Sequence, residues 1–190
     1  MLRFKYHIKG NTIRLKRTKP SIKMAKCMFE LIDINRNHLQ PWFPWVNKTH
    51  TVEDILKYLF DKEEQFKQGK KIEYGIFVGV QYIGNIALFD INTENKSSEI
   101  GYWLSSLHTR KGYMTEAVKI IEQEAFETLW LHRVQIQCDE VNEASFGVAK
   151  KCWYKYEWKI RECFFSEYFN NFRNKLLLSK LKSDYKKHVS

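Results

Sequence analysis

A polypeptide can hold a phosphate group in few ways, and residues 98–117 have the makings of one. Glu99–Leu104 alternates as a strand does, with Ile100, Tyr102 and Leu104 on one face and Glu99, Gly101 and Trp103 on the other. From Met114 apolar residues recur at helical spacing through Val118, Ile121, Ala125 and Phe126 to Leu129. Between them lies the short basic loop Thr109-Arg110-Lys111-Gly112. A helix start offers unpaired N–H groups and the positive end of the helix dipole. A basic, glycine-containing loop in that place predicts a cradle for a phosphate-bearing ligand.

Thiol, imidazole and metal chemistry are poorly provided for. Cys27, Cys138, Cys152 and Cys163 lie far apart, without C-x-x-C spacing and without a neighbour that would lower a thiol pKa. Free thiols in a reducing cytoplasm are expected, with no disulfide framework, zinc site or cysteine nucleophile. His108 and His132 have no Ser, Cys or carboxylate partner at a recognisable spacing and read as surface or structural residues.

The elements that must position the loop can be read in order. Lys5–Ile8 and Thr12–Leu15 are expected as short strands about the Gly10-Asn11 turn. Ser21 caps a helix with Met24, Ala25, Met28, Leu31 and Ile32 on its apolar face. Leu39–Trp45 sets Pro41 and Pro44 among Trp42, Phe43 and Trp45, and the prolines predict a stiff extended segment. Its aromatics either line a substrate groove or seal the core as a flap. Thr51 and Asp54 form a capping box for a helix that runs through Ile55, Leu59 and Phe66 to Gly69. Tyr74–Val80 and Tyr82–Ile91 read as a hairpin turning near Val80-Gln81, with Glu99–Leu104 as the third strand of that meander. After the central helix come a strand at Arg133–Cys138, a helix opened by Asn142 and bearing Val148, Ala149 and Cys152, and a closing hairpin of Tyr154–Phe165 and Phe172–Leu178. The order β-β-α-α-β-β-β-α-β-α-β-β predicts an α/β (α+β) sandwich. Its sheet is mixed but mostly antiparallel, with one parallel pair across the central helix and helices on both faces.

With 190 residues and a 44% apolar fraction, one domain over residues 10–182 is expected, followed by a basic tail at 183–190. No run reaches the roughly 18–20 apolar residues of a membrane span, so no membrane contact is expected, and the charged N-terminus has no signal-peptide core. The net charge of +10 is uneven: residues 1–29 carry nine basic side chains and no acidic one. Such ends favour a polyanion such as ribosomal RNA, or an acidic acceptor. A solvated surface rich in lysine is the better-supported reading, since 24 of the 32 basic residues are Lys and no arginine cluster or aromatic-interleaved basic stripe appears.

Four segments together carry a resemblance: Leu39-Gln-Pro-Trp-Phe-Pro-Trp45, Glu99-Ile-Gly-Tyr-Trp-Leu104, Gly112-Tyr-Met-Thr-Glu-Ala117, and Leu131-His-Arg-Val134 with Asn142-Glu-Ala-Ser145. In this order the chain resembles the GNAT superfamily of acetyl-CoA-dependent N-acetyltransferases. Within it the RimJ/RimL type, which acetylates N-terminal amines of ribosomal proteins, is the most similar. The resemblance runs from about Thr12 to Lys182.

It implies a GNAT fold in which the two parallel strands splay and the pantetheine arm pairs with backbone at Trp103, Leu104 and Ser105. The pyrophosphate would rest on N–H groups of Arg110, Lys111, Gly112, Tyr113, Met114 and Thr115, and Asn142 would hydrogen-bond the pantetheine. The reaction needs a base for the amine, a site for an oxyanion and help for the departing thiolate. Glu99 is the implied base, acting through a water, and Ser145 the implied donor to sulfur. Glu99 as an exposed strand carboxylate, and Asn142 or Ser145 as plain helix caps, are the alternatives. Trp42, Phe43 and Trp45 would line the acceptor groove.

The resemblance is incomplete. Thr109 and Arg110 stand where the family has Gln/Arg and often Gly, Trp153 and Trp158 where Gly is usual, and Asn174 where Asp is usual. The expected function is acetyl transfer to a protein N-terminus, in a monomer or homodimer that needs no metal. A small amine acceptor such as an antibiotic or polyamine is the first alternative, and a non-catalytic protein- or RNA-binding GNAT domain the second.

Overall fold

A computed structural model describes residues 4–189. Its strands are β1 (His7–Lys9), β2 (Arg14–Arg17), β3 (Ile72–Val78), β4 (Gln81–Asn92), β5 (Ser97–Leu104), β6 (Arg133–Asp139), β7 (Lys155–Ser166) and β8 (Asn171–Leu181). They make one sheet in the order β1-β2-β3-β4-β5-β6-β8-β7. Among the described residues only β5 and β6 run parallel. The helices are α1 (Ile22–Asp33), α2 (Arg36–Leu39), α3 (Val52–Lys67), α4 (Tyr113–Gln123), α5 (Glu143–Lys151) and α6 (Lys182–Val189).

Local chemistry places the helices. The Ser21 hydroxyl accepts from the Met24 N–H to start α1, and both halves of the Thr51/Asp54 capping box are present at α3. Periodicity then decides the packing. Ala25, Met28 and Ile32 of α1 and Ile55 and Leu59 of α3 bury against Tyr82 and Trp103 on one face of the sheet. Met114, Ala117, Val118 and Ile121 of α4 bury against Ile86, Leu88, Ile100 and Ile136 on the other. Each fully buried aliphatic side chain contributes about 1.5–3 kcal/mol by leaving water. The result is the expected mixed sheet with helices on both faces.

Two buried ion pairs hold the layers in register. Between α3 and β3, Lys62 donates to Glu73 at 2.8 Å and to Thr18, while Asn85 donates to the same Glu73 oxygen at 2.8 Å. Tyr58 donates to the other Glu73 oxygen, which Lys71 approaches at 3.2 Å. Behind α4, Lys180 of β8 reaches both Glu122 oxygens at 2.8 and 2.9 Å.

Several local expectations need correction. Leu39–Trp45 is not extended: α2 ends at Leu39, and Pro44 begins a 3-10 turn, Pro44–Lys48. A proline at the first position of a helical turn fits because its fixed φ is already helical and its missing N–H is not needed there. The first two strands lie nearer the chain's C-terminal side than expected, because the Glu116 carboxylate on α4 accepts from the Asn11 and Thr12 N–H groups and holds that turn out of the ladder. The β3–β4 turn is Gly79-Val80, with Gly79 at φ +57°, rather than Val80-Gln81. The lysine-rich end is a helix, docked by Tyr185, whose ring stacks on Phe126 at 4.9 Å and whose hydroxyl donates to Glu127 at 2.7 Å. The basic N-terminal residues fall on the sheet edge, where His7, Lys9, Arg14 and Lys16 are exposed on one face of the β1–β2 ribbon.

Candidate active site

The parallel pair is short. β5 and β6 are joined over three residue pairs, Ser97–Arg133 to Glu99–Gln135, and then part. Beyond Glu99, β5 keeps its bonds to β4 and β6 keeps its bonds to β8, so the edges that face each other are left unpaired. Unpaired strand edges offer N–H and C=O groups to anything extended that enters between them. A cleft of about 970 Å³ opens at this gap, and the basic loop before α4 lies at one end of it.

Alternation along β5 sends its side chains to opposite faces of the gap. On the face of α1 and α3, one Glu99 oxygen accepts from Gln135 and from Gln137, both at 2.9 Å. Burial pushes the Glu99 carboxyl above the usual carboxylate range. The Gln135 hydrogen bond, the Lys175 charge and the Gln137 hydrogen bond only partly oppose that rise, and Asp90 adds to it. The result is a fixed carboxylate that is more basic than one in water. On the face of α4 and α5, the Tyr102 hydroxyl lies 3.0 Å from Ser145 Oγ and donates to the Ser145 carbonyl at 3.1 Å. Burial drives the Tyr102 hydroxyl far above the ordinary phenol range, so it stays protonated. The Asn142 side chain accepts from the Ser145 N–H at 3.0 Å and caps α5. The capping role is therefore real for Asn142, while Ser145 Oγ remains directed to Tyr102.

The loop end of the cleft is built for an anion. Gly112, at φ +82°, is the residue before α4 and brings no side-chain acceptor, so among the described residues no side chain caps the first-turn N–H groups of α4. A Cβ placed on Gly112 would meet nothing within 4 Å, which leaves open space beside that backbone. Arg110 holds φ +60° with a full side chain, at the place where the resemblance implies glycine. A left-handed backbone costs an L-residue roughly 1–2 kcal/mol. Arg110→Gly is accordingly expected to raise stability by about 1 kcal/mol, read as a rise of roughly 2–4 °C in Tm for a chain of this size. Trp153 has the same strain at φ +62° after α5, where its N–H and that of Tyr154 bond back to Lys150 and Ala149 and close the helix. Trp158 lies within β7 and has no such backbone.

Of the residues singled out in the sequence, Glu99, Ser145, Trp103, Leu104, Arg110, Gly112, Tyr113, Met114, Thr115, Asn142, Trp42 and Phe43 line the one cleft. Ser105, Lys111 and Trp45 do not line it. The Ser105 N–H is used by the Ile83 carbonyl, and Trp45 turns back onto Phe43 and Trp103 at 5.6 and 6.4 Å. Trp42 meets Phe169, at the tip of the β7–β8 hairpin, at 6.1 Å and so roofs the acceptor side. The sequence alone assigns no site role to Tyr102, Gln135, Gln137 and Lys175. Gln135 and Gln137 had a signal: two amides at period two on the strand parallel to that of Glu99 must share its face. Cys138 lines the cleft, but burial raises its thiol to about 11, so it is not a nucleophile at neutral pH. His108 also lines the cleft, with Nδ1 buried and unpartnered, and burial and Lys111 lower its pKa.

Residues 24–155 match the acetyltransferase (GNAT) domain family. The chain belongs to that family. Among its curated relatives is YdaF of Bacillus subtilis (strain 168), provisionally named a ribosomal N-acetyltransferase, 30% identical over 80% of this chain and 81% of YdaF. The ribosomal-protein-serine acetyltransferase of Escherichia coli (strain K12) is 29% identical over 66% of this chain and 70% of its own. Among solved structures, RimL, a ribosomal L7/L12 alpha-N-protein acetyltransferase in complex with coenzyme A, superposes with a TM-score of 0.84 at 19% identity, covering 92% of this chain and 97% of RimL. In this GNAT domain the splayed strands, the uncapped α4 N-terminus and the open space at Gly112 fit an extended thioester with a diphosphate. Among the described residues no cluster of His, Cys, Asp and Glu could hold a metal ion.

Proposed function

We propose that this GNAT domain moves an acetyl group from acetyl-CoA to the N-terminal α-amine of a protein, with a ribosomal protein as the first acceptor to test. The observation that carries the reading is the pairing of Glu99 on one face of the strand gap with Tyr102 and Ser145 on the other. Acetyl-CoA supplies the activated acyl group. The chain must then take a proton from the amine, steady a developing oxyanion and protonate or bind the departing sulfur.

This reading assigns a group to each task. Glu99, held by two amides and made more basic by burial, accepts the ammonium proton, directly or through a water. An α-amine has a pKa near 8, so a modest base suffices, whereas a lysine amine near 10.4 demands more. The unpaired backbone of β5 beyond Glu99 provides N–H groups for the oxyanion. Ser145 Oγ, hydrogen-bonded to Tyr102, is the donor for sulfur. Loop N–H groups from Gly112 to Thr115, with Arg110 beside them, hold the diphosphate.

The acceptor side favours a chain end over a compact small molecule. Trp42 and Phe43 line a cleft of about 970 Å³, and the relatives YdaF and the Escherichia coli ribosomal-protein-serine acetyltransferase bear ribosomal names. Calorimetry should show acetyl-CoA binding at micromolar levels, and thiol release should be faster with N-terminal peptides than with polyamines or aminoglycosides. Absence of acetyl-CoA binding at millimolar concentration would refute the catalytic reading, and a clear preference for small amines would replace the acceptor.

A further inference from the structure

Two carboxylates near the acceptor side of the cleft already have cationic partners. Asp139 accepts from Arg173 at 2.8 and 3.0 Å, and the guanidinium also lies 4.7 Å from the Phe169 ring centroid. Glu140 is paired with Lys159 at 2.6 Å. Lys175 lines the same cleft, and among the described residues no carboxylate lies within ion-pair distance of it. Its Nζ stands 5.4 Å from the Phe164 ring centroid, which also lines the cleft. The charge it acts on is that of Glu99.

An unpaired cation whose charge is felt at the base opposes the reaction in two ways. It repels the incoming ammonium, and it makes Glu99 a weaker base. Both penalties disappear when the acceptor brings a negative group of its own to Lys175. The register gives the reach. Glu99 pairs with Gln135 on β6, whereas Lys175 pairs with Asp139, four residues further along that strand. Four residues of strand span about 13 Å, and the long lysine side chain shortens the gap. An extended peptide advances about 3.3–3.6 Å per residue, which puts the second or third residue of an acceptor, with its α-amine at Glu99, beside Lys175.

We propose that Lys175 is a specificity residue that selects acceptors with an aspartate or glutamate at the second or third position from the reactive α-amine. This rests on the peptide-acceptor reading above and adds the class of peptide. Asp139 does not cancel the selection because Arg173 already neutralises it, and Asp90 acts on Glu99 from the exposed end of β4.

Three peptides that differ only at the second and third positions, with Glu, Ala or Lys, test it through kcat/KM at low and high salt. Wild type is expected to prefer the Glu peptide over the Lys peptide by tenfold or more, with the ratio shrinking at high salt as the charges are screened. Lys175→Glu should invert the order, and Lys175→Met should flatten it, with circular dichroism reporting that both variants fold. Turnover of all three peptides at equal efficiency, or an order unchanged in Lys175→Glu, overturns the selection while leaving peptide acetylation in place. Acetylation of small amines but of none of the peptides overturns both.

Discussion

Glu99→Gln is expected to lower kcat/KM for peptide acetylation by about 10²–10³-fold, with acetyl-CoA affinity unchanged. The amide keeps the size of the side chain and still offers an oxygen to Gln135 and Gln137, so the fold should survive and only the base should go. The pH profile gives a second readout. A base works when deprotonated, and burial holds Glu99 above the usual carboxylate value. Activity of the wild type should therefore fall on the acid side at a higher pH than an ordinary glutamate would give, and the residual activity of Glu99→Gln should lack that limb. Thiol release followed from pH 5 to 9 tests both statements. A variant that retained activity within a few-fold of wild type would assign the base elsewhere.

The second large effect is on stability. Glu73→Ala leaves Lys62 as an unpaired cation in a buried site, and breaking a buried pair costs about 3–5 kcal/mol. At roughly 2–4 °C per kcal/mol for a chain of this length, Tm should fall by about 6–20 °C. Replacing both partners together with apolar residues should cost far less, since neither charge is then stranded. The pair also sets a pH dependence. Burial alone would raise the Glu73 carboxyl, but Lys62 and Lys71, with hydrogen bonds from Lys62 and Tyr58, outweigh it and hold the value at about 2. A carboxylate with a depressed folded-state pKa stabilises fully above its ordinary value of 4.5 and loses that contribution as pH falls from there toward 2. Thermal melts between pH 3 and 7 should show this loss in wild type and not in the doubly substituted protein.

Glu73 and Lys62 also show where reading a sequence stops. Both look like surface residues, one in a strand and one on a helix, and nothing in the local sequence singles out Lys62, 11 positions away, as the buried partner of Glu73. Their pairing depends on how α3 lies on β3, which the apolar faces of both elements decide together. The same holds for Tyr102 and Ser145, 43 residues apart. The aromatic segment failed for a different reason. Proline forbids the interior of a helix but suits its first position, and only the packing of Trp45 against Trp103 shows which applies at Pro44.

The sequence by itself determined the order of elements apart from α2 and α6, the parallel crossover, the uncapped helix behind the basic loop and the face on which Glu99 stands. These follow from period, capping and turn chemistry, which act over a few residues and do not depend on the rest of the chain. The tertiary structure alone decided the grip of Gln135 and Gln137 on Glu99, the hydroxyl pair across the gap, the left-handed backbone at Arg110, the docking of α6 and the unpaired charge of Lys175. Each of these depends on strand register and on burial, which are set only when distant segments compete for the same core.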